Sequence, residues 1–182
     1  MQPGGGWEAL SAALAAGFAG KNVADLGAGE GHLTLLLARF AKSVIAVDHS
    51  KAMLREVQRR AKSAGLSARV KIAEGDLEEL PVESASVDAV FLSQALHHAA
   101  QPAKAIGEAA RIVRKHGQVI VLDLARHGQE WVREQWADQW LGFEEEELCE
   151  WMKHAGLNVV LTQKLAGSTP EIAVILAVGN KT

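Results

Sequence analysis

The sequence predicts an α/β domain: a doubly wound seven-stranded sheet, mostly parallel, with an antiparallel C-terminal hairpin. Three observations carry that expectation. Short, almost uninterrupted apolar runs alternate with amphipathic ones, the pattern of a parallel sheet covered by helices on both faces. Val23-Ala24-Asp25-Leu26-Gly27-Ala28-Gly29-Glu30-Gly31 is an apolar strand running into three glycines at alternate positions, with an amphipathic run after it. Strand, glycine-rich turn and helix open many α/β sheets that bind a ligand, because missing side chains let the ligand lie against the backbone. Finally, the apolar runs 157–164 and 171–178 are joined only by residues 165–170. A parallel crossover needs about a dozen residues or more, so these two strands form a hairpin.

The elements follow in order. Residues 7–18 are Ala-rich and helical, 22–26 a strand, 31–40 a helix and 43–48 a buried strand. A helix over 50–64 has Ser50 as N-cap and Gly65 as its stop. Residues 70–74 form a strand, followed by a loop through Pro81, then a strand over 87–93. The helix over 102–113 carries Pro102 in its first turn. A Lys115-His116-Gly117 turn leads to a strand over 118–123. Two successive helices, 130–140 and 144–155, precede the hairpin. Residues 1–20 are read as a linker and helix before a single domain over 21–182, with no internal repeat.

Composition excludes several classes. The chain has 182 residues, enough for one domain with a full core, and a net charge of −3 that gives no electrostatic case for nucleic acid or an anionic membrane. Cys149 is the only cysteine, which rules out an internal disulfide and a cysteine-based metal cluster and points to a reducing cytoplasm. Charges break every apolar run before it reaches membrane-spanning length.

The glycine loop does not follow the dinucleotide spacing G-x-G-x-x-G, because His32 stands where the third glycine would fall. Instead there is an extra Gly31, and Asp25 precedes Gly27 by two residues. Ligands in open α/β sheets sit beyond the carboxyl ends of the strands. Asp48 falls at such an end, where a carboxylate accepts ribose hydroxyls or, alternatively, caps the following helix.

Loop 25–31, Asp48, the Gly75-Asp76-Leu77 turn and the stretch Ser93-Gln94-Ala95-Leu96-His97-His98 together resemble a class I S-adenosylmethionine-dependent methyltransferase of type 11. The resemblance covers essentially the whole chain and implies a Rossmann-like fold. It also implies S-adenosylmethionine as cofactor and S-adenosylhomocysteine as product. On that resemblance Gly27, Ala28, Gly29 and Gly31 surround the methionine part, and Asp25 orients the loop or meets the amino group. Asp48 and His49 lie at the ribose, Asp76 and Leu77 at the adenine, and Ser93 nearby. Met53 covers the adenine or is plain core, and Asp76 holds its own turn if it does not meet the base. His98, His97 and Asp123 are the candidate catalytic residues at the acceptor. Adjacent helical residues point about 100° apart, so the two histidines are not expected to share one pocket. A histidine there either takes a proton from the acceptor or holds its own loop.

Residues 127–143 resemble the methyltransferase domains found downstream of ArsR-type winged-helix regulators, although no winged helix precedes them in this chain. Trp136 and Trp140, four residues apart, are expected on one helix face, roofing the cleft or anchoring the helix. Glu144 to Glu147 are read as a helix's first turn complementing its dipole, and no metal ligand set is assigned. The expected acceptor is a small molecule with an N, O or S nucleophile, and a homodimer is the expected partner state. The competing reading is a sensor of S-adenosylmethionine or its product with little catalysis.

Overall fold

A computed structural model describes residues 15–136, 138–169 and 172–182. The expected linker over 1–6 and most of the helix over 7–18 fall outside them. One sheet of seven strands runs in the order β3-β2-β1-β4-β5-β7-β6. Its strands are β1 (Asn22–Leu26), β2 (Ser43–Asp48), β3 (Val70–Glu74), β4 (Val87–Ser93), β5 (Val113–Leu124), β6 (Leu157–Thr169) and β7 (Ile172–Lys181). β1 to β5 are parallel, and β7 runs antiparallel between β5 and β6. Helices are α1 (His32–Ala38), α2 (Lys51–Ser63), α3 (Pro102–Ile112), α4 (Trp131–Trp136) and α5 (Glu145–His154). The expected fold class is the observed one.

From β1 the chain builds outward to β2 and β3, then crosses to β4 on the other flank. That reversal opens a crevice beyond Leu26, the place where such sheets bind ligands. β1 is buried on both faces: Val23, Ala24 and Leu26 are wholly inaccessible. Leu26, Leu92, Leu96, Ile106, Leu148 and Phe143 form the largest buried side chains of the core. Each buried aliphatic contributes about 1.5–3 kcal/mol.

Local chemistry sets the helices. Ser50 caps α2, its Oγ accepting from Met53 N at 3.4 Å, while Leu54, Val57 and Ala61 bury one face. Gly65, at φ 70°, follows its end. Gly31 sits at φ 82° immediately before α1, which shortens the expected helix over 31–40. A Cβ at Gly31 would approach Val57 Cγ2 to 2.9 Å, so this glycine lets α1 start against α2. α5 has the capping box between Glu144 and Glu147, with Glu145, Glu146 and Glu147 in its first turn.

Three departures from expectation matter. β5 begins at Val113, not 118, because the chain bulges around Lys115 to Gly117 while staying in the sheet. His116 there has φ 64°, and a Cβ on Gly117 would lie 2.6 Å from Asp88 O. The hairpin strands are longer than expected and pair as far as Thr169 with Ile172. Finally, the expected helix over 130–140 stops at Trp136, so Trp136 and Trp140 do not share a helix face.

The loop after β3 is held by α3. Glu108 accepts from Leu80 N at 2.8 Å, and Arg111 donates to Val82 O and Leu80 O at 2.9 and 3.1 Å. This clamp fixes the turn that carries Asp76 and Leu77.

Candidate functional site

Beyond the carboxyl ends of β1 to β4 lies a cleft of about 620 Å³, a usual size for a small-molecule site. Gly27, Gly29, Asp48, His49, Met53, Asp76, Leu77 and His98 line it. Asp25, Ala28, Gly31, Ser93, His97 and Asp123 do not. A larger concavity of about 960 Å³ lies at the opposite rim, among Lys21, Arg114, Lys115 and Lys181. It is a shallow basic surface at the amino ends of the strands, away from the glycine loop.

The glycine loop is pinned to β2, with Gly27 N and Ala28 N both donating to Val47 O at 2.8 and 3.0 Å. Gly27 has φ 71°, and a Cβ on it would fall 2.4 Å from Ala95 Cβ, so only glycine lets the β1 and β4 loops meet. Gly29 has φ 51°, and nothing lies within 4 Å of the position its Cβ would take. Its N–H donates to Asp48 Oδ2 at 2.8 Å, and Ser50 N donates to Asp48 Oδ1 at 2.8 Å. Two main-chain donors therefore orient this carboxylate, and each oxygen retains capacity for another hydrogen bond. The side-chain cap of α2 is Ser50 itself, not Asp48.

Asp25 sits behind the loop, 2 % exposed, accepting a hydrogen bond from Thr34 Oγ1. Burial pushes its carboxyl up to about 6, with the Thr34 hydrogen bonds pulling the other way. It lies outside the cleft surface, where direct contact with a ligand amino group had been one expectation. Asp76 accepts from Glu78 N at 2.8 Å, holding its own turn, and still lines the cleft.

The wall beyond β4 is built differently. Asp123, fully buried, accepts from Ala95 N at 3.1 Å, Leu96 N at 2.8 Å and Leu124 N at 2.7 Å. Its Oδ1 also lies 2.7 Å from His97 Nδ1. Its oxygens are thus engaged inside the protein, so Asp123 positions His97 and the loop and does not meet an acceptor. His97 is itself buried, and His98 is the histidine at the cleft. The rings nevertheless lie against each other, tilted by 53° with centroids 4.1 Å apart, because residues 96–98 form a 3₁₀ turn that brings both toward Asp138. Burial disfavours a charged His97 ring, but the hydrogen bond and charge of Asp123 and the charge of Asp138 outweigh it and raise its pKa. Burial lowers that of His127.

Segment 138–140 is tied to this wall by its backbone. Gln139 N and Trp140 N both donate to His97 O, at 3.0 and 3.1 Å. Gln139 Nε2 donates to His98 O at 2.8 Å, and Trp140 Nε1 donates to Ala99 O at 2.9 Å. Trp140 thus anchors the segment, the plainer of its two expected roles. Gln94, Ala95 and Gln139 line the cleft and Asp138 lies behind it, none of them singled out from the sequence. Gln94 sits at φ 53°, a strained loop position with no sequence signature.

A sheet of this order, with a glycine loop and a strand-end acid facing one cleft, is a doubly wound α/β fold with its ligand position beyond the strands' carboxyl ends. The chain belongs to the methyltransferase domain family, which matches residues 24–121. It is 33% identical over 119 residues to a demethylmenaquinone methyltransferase of Clavibacter sepedonicus, covering 65% of this chain and 47% of that one. It is 41% identical over 117 residues to an uncharacterized methyltransferase of Mycobacterium bovis, covering 64% and 45%. The chain thus matches about half the length of these curated relatives. The crystal structure of the [4+2]-cyclase SpnF superposes with a TM-score of 0.82 at 19% identity, over 96% of this chain and 80% of that one.

S-adenosylmethionine is the cofactor of this fold and family. The residues present fit it: an open glycine backbone, a strand-end carboxylate with free acceptor capacity, and a cleft of nucleoside size.

Proposed function

We propose that this chain transfers a methyl group from S-adenosylmethionine to a nitrogen, oxygen or sulfur of a small-molecule acceptor. Asp48 carries the reading: a carboxylate in the cleft, oriented by Gly29 N–H and Ser50 N–H, beside a glycine with open space above it. Asp48, with His49 next to it, would hold the ribose hydroxyls. Asp76 and Leu77 would meet the adenine, with Met53 from α2 against it. The backbone at Gly27, Ala28 and Gly29 would run along the methionine part, with Gly31 and the buried Asp25 fixing the loop's shape and Ser93 ending the neighbouring strand. When bound, the cofactor supplies an electrophilic methyl on a sulfonium. The chain aligns the reactants and keeps water out, which lowers the barrier without a dedicated base. His98 and Gln139 line the part of the cleft that the glycine loop and the two acids leave open.

The domain assignment belongs to the same proposal: residues 21–182 as the methyltransferase domain, 1–20 as a preceding linker and helix, and a cytoplasmic site of action. Among the described residues no helix is long and apolar enough to cross a membrane. The resemblance of residues 127–143 to regulator-linked domains supports kinship with the ArsR-associated group. Calorimetry with S-adenosylmethionine and its demethylated product tests the cofactor site, and a methylation screen of small nucleophiles tests the reaction. Micromolar binding with turnover is the expected result. Binding without turnover on any acceptor would replace catalysis by sensing, and absence of binding would remove the proposal.

A further inference from the structure

Behind the acceptor wall lies a set of polar groups that methyl transfer does not use. Asp138 is 3 % exposed, and neither of its carboxylate oxygens has a hydrogen-bond partner among the described residues. A buried carboxylate without a donor is costly, by several kcal/mol in general. The groups facing it only sharpen the problem. Asp138 Oδ1 lies 3.6 Å from His97 Nε2 and 3.8 Å from His98 Nδ1, both beyond hydrogen-bond length. One donor atom from each of His97, His98 and Asp138 lies within 4.8 Å of the other two. His127 Nε2 is also buried without a hydrogen-bond partner among the described residues, and it interacts electrostatically with Asp138.

The geometry points to a binding site for a divalent first-row transition metal, held by His97 Nε2, His98 Nδ1 and an Asp138 oxygen at the edge of the cleft. Three features of construction agree. Asp123 engages Nδ1 of His97, which leaves Nε2 as the lone-pair donor aimed at Asp138. Carboxylate, imidazole and metal in that sequence is how metal-binding histidines are generally oriented. The Gln139 and Trp140 N–H bonds to His97 O then carry Asp138 to the same place. Bonds of about 2.1 Å at a tetrahedral angle put ligand atoms about 3.4 Å apart. The two carboxylate–imidazole spacings of 3.6 and 3.8 Å therefore need to close by a few tenths, and the two imidazole donors, within 4.8 Å of each other, close by rotation of the half-exposed His98. Two imidazoles and one carboxylate suit zinc, iron or cobalt, and suit magnesium poorly because it demands oxygen ligands. His98 opens to the cleft, which gives the ion a route in and leaves a coordination position toward the acceptor. A metal there would bind the acceptor's nucleophilic atom and favour its deprotonated form. The ion site goes beyond the proposed methyl transfer and stands independently of it, whereas the ion's action on an acceptor rests on that reading.

The test uses the chelator-treated chain titrated with Co²⁺ and Zn²⁺ by calorimetry, with the visible absorption of Co²⁺ as a second readout. One ion per chain, micromolar affinity or tighter, and the absorption of a four- or five-coordinate Co²⁺ site are expected, with no comparable binding of Mg²⁺. Asp138→Ala and His98→Ala should each weaken binding by about 100-fold or more, comparable to or beyond losses seen on removing metal-site partners. His98 is half-exposed, so its variant folds even if the buried Asp138 variant does not, and circular dichroism checks both. Absence of saturable binding below 100-fold over the chain concentration would overturn the site. So would equal binding by the His98 variant. S-adenosylmethionine affinity, measured on the metal-free chain, separates this outcome from failure of the cofactor reading.

Discussion

The two flanks of the cleft are made by opposite strategies. On the β1–β3 side main-chain bonds shape the glycine loop and aim the Asp48 carboxylate: Gly27 and Ala28 donate to Val47, Gly29 and Ser50 to Asp48. On the β4–β5 side Gln94, His98 and Gln139 line the cleft, backed by buried side chains from three separate segments: His97, Asp123 and Asp138. The first flank is set by main-chain geometry and tolerates almost no change of shape. The second takes its shape from side chains held on a loop that the buried Asp123 fixes.

Four substitutions test that contrast, from the largest effect to the smallest. Gly27→Ala places a methyl against Ala95 in a left-handed backbone, and should cost about 3 kcal/mol in denaturant unfolding while abolishing tight cofactor binding. A loss below 1 kcal/mol would mean that this flank is more pliant than its geometry says.

Asp25 gives a pH test of the same flank. Its folded pKa, raised to about 6, lies above the ordinary carboxylate value. Its proton is therefore held more tightly in the folded state, and stability falls as pH rises from about 4 through 6, by about 2–3 kcal/mol for this group. Asp25→Asn should remove that fall, so the variant gains on the parent between pH 4 and 7. Parallel stability–pH curves would refute it.

Asp48→Ala should weaken S-adenosylmethionine binding by about 1–3 kcal/mol, roughly 5- to 150-fold, with little change in unfolding temperature. An unchanged dissociation constant would move the ribose site elsewhere. On the other flank, Trp140→Phe removes the bond to Ala99 O and trims the indole packed near Phe143, and should cost about 1 kcal/mol in stability. Its cofactor affinity should stay within twofold, and a larger loss would show that the two flanks are coupled.

The same contrast explains what the sequence revealed. β1, β2, β3 and β4 have the expected bounds because each is a short apolar run bordered by polar or glycine residues. The place of Asp48 at the cleft was legible because it depends on a position within one strand–turn–helix unit. Asp138 was not, since residues 130–140 carry a helical pattern and only the N–H bonds of Gln139 and Trp140 to His97 O show that the chain turns there. The close approach of the His97 and His98 rings is hidden for a related reason: α-helical spacing does not hold where a 3₁₀ turn occurs. The bulge at Lys115 to Gly117 looked like a turn, because a positive φ and a glycine mark both.

Asp123 has one more effect. With three backbone N–H groups and one imidazole converging on a single buried carboxylate, the loop behind the second wall is preorganised. Its conformational entropy is surrendered on folding, so none need be lost there when a reactant docks. Rival molecules are then separated by how they match a rigid contour, and selectivity should show itself in dissociation rates more than in the speed of capture.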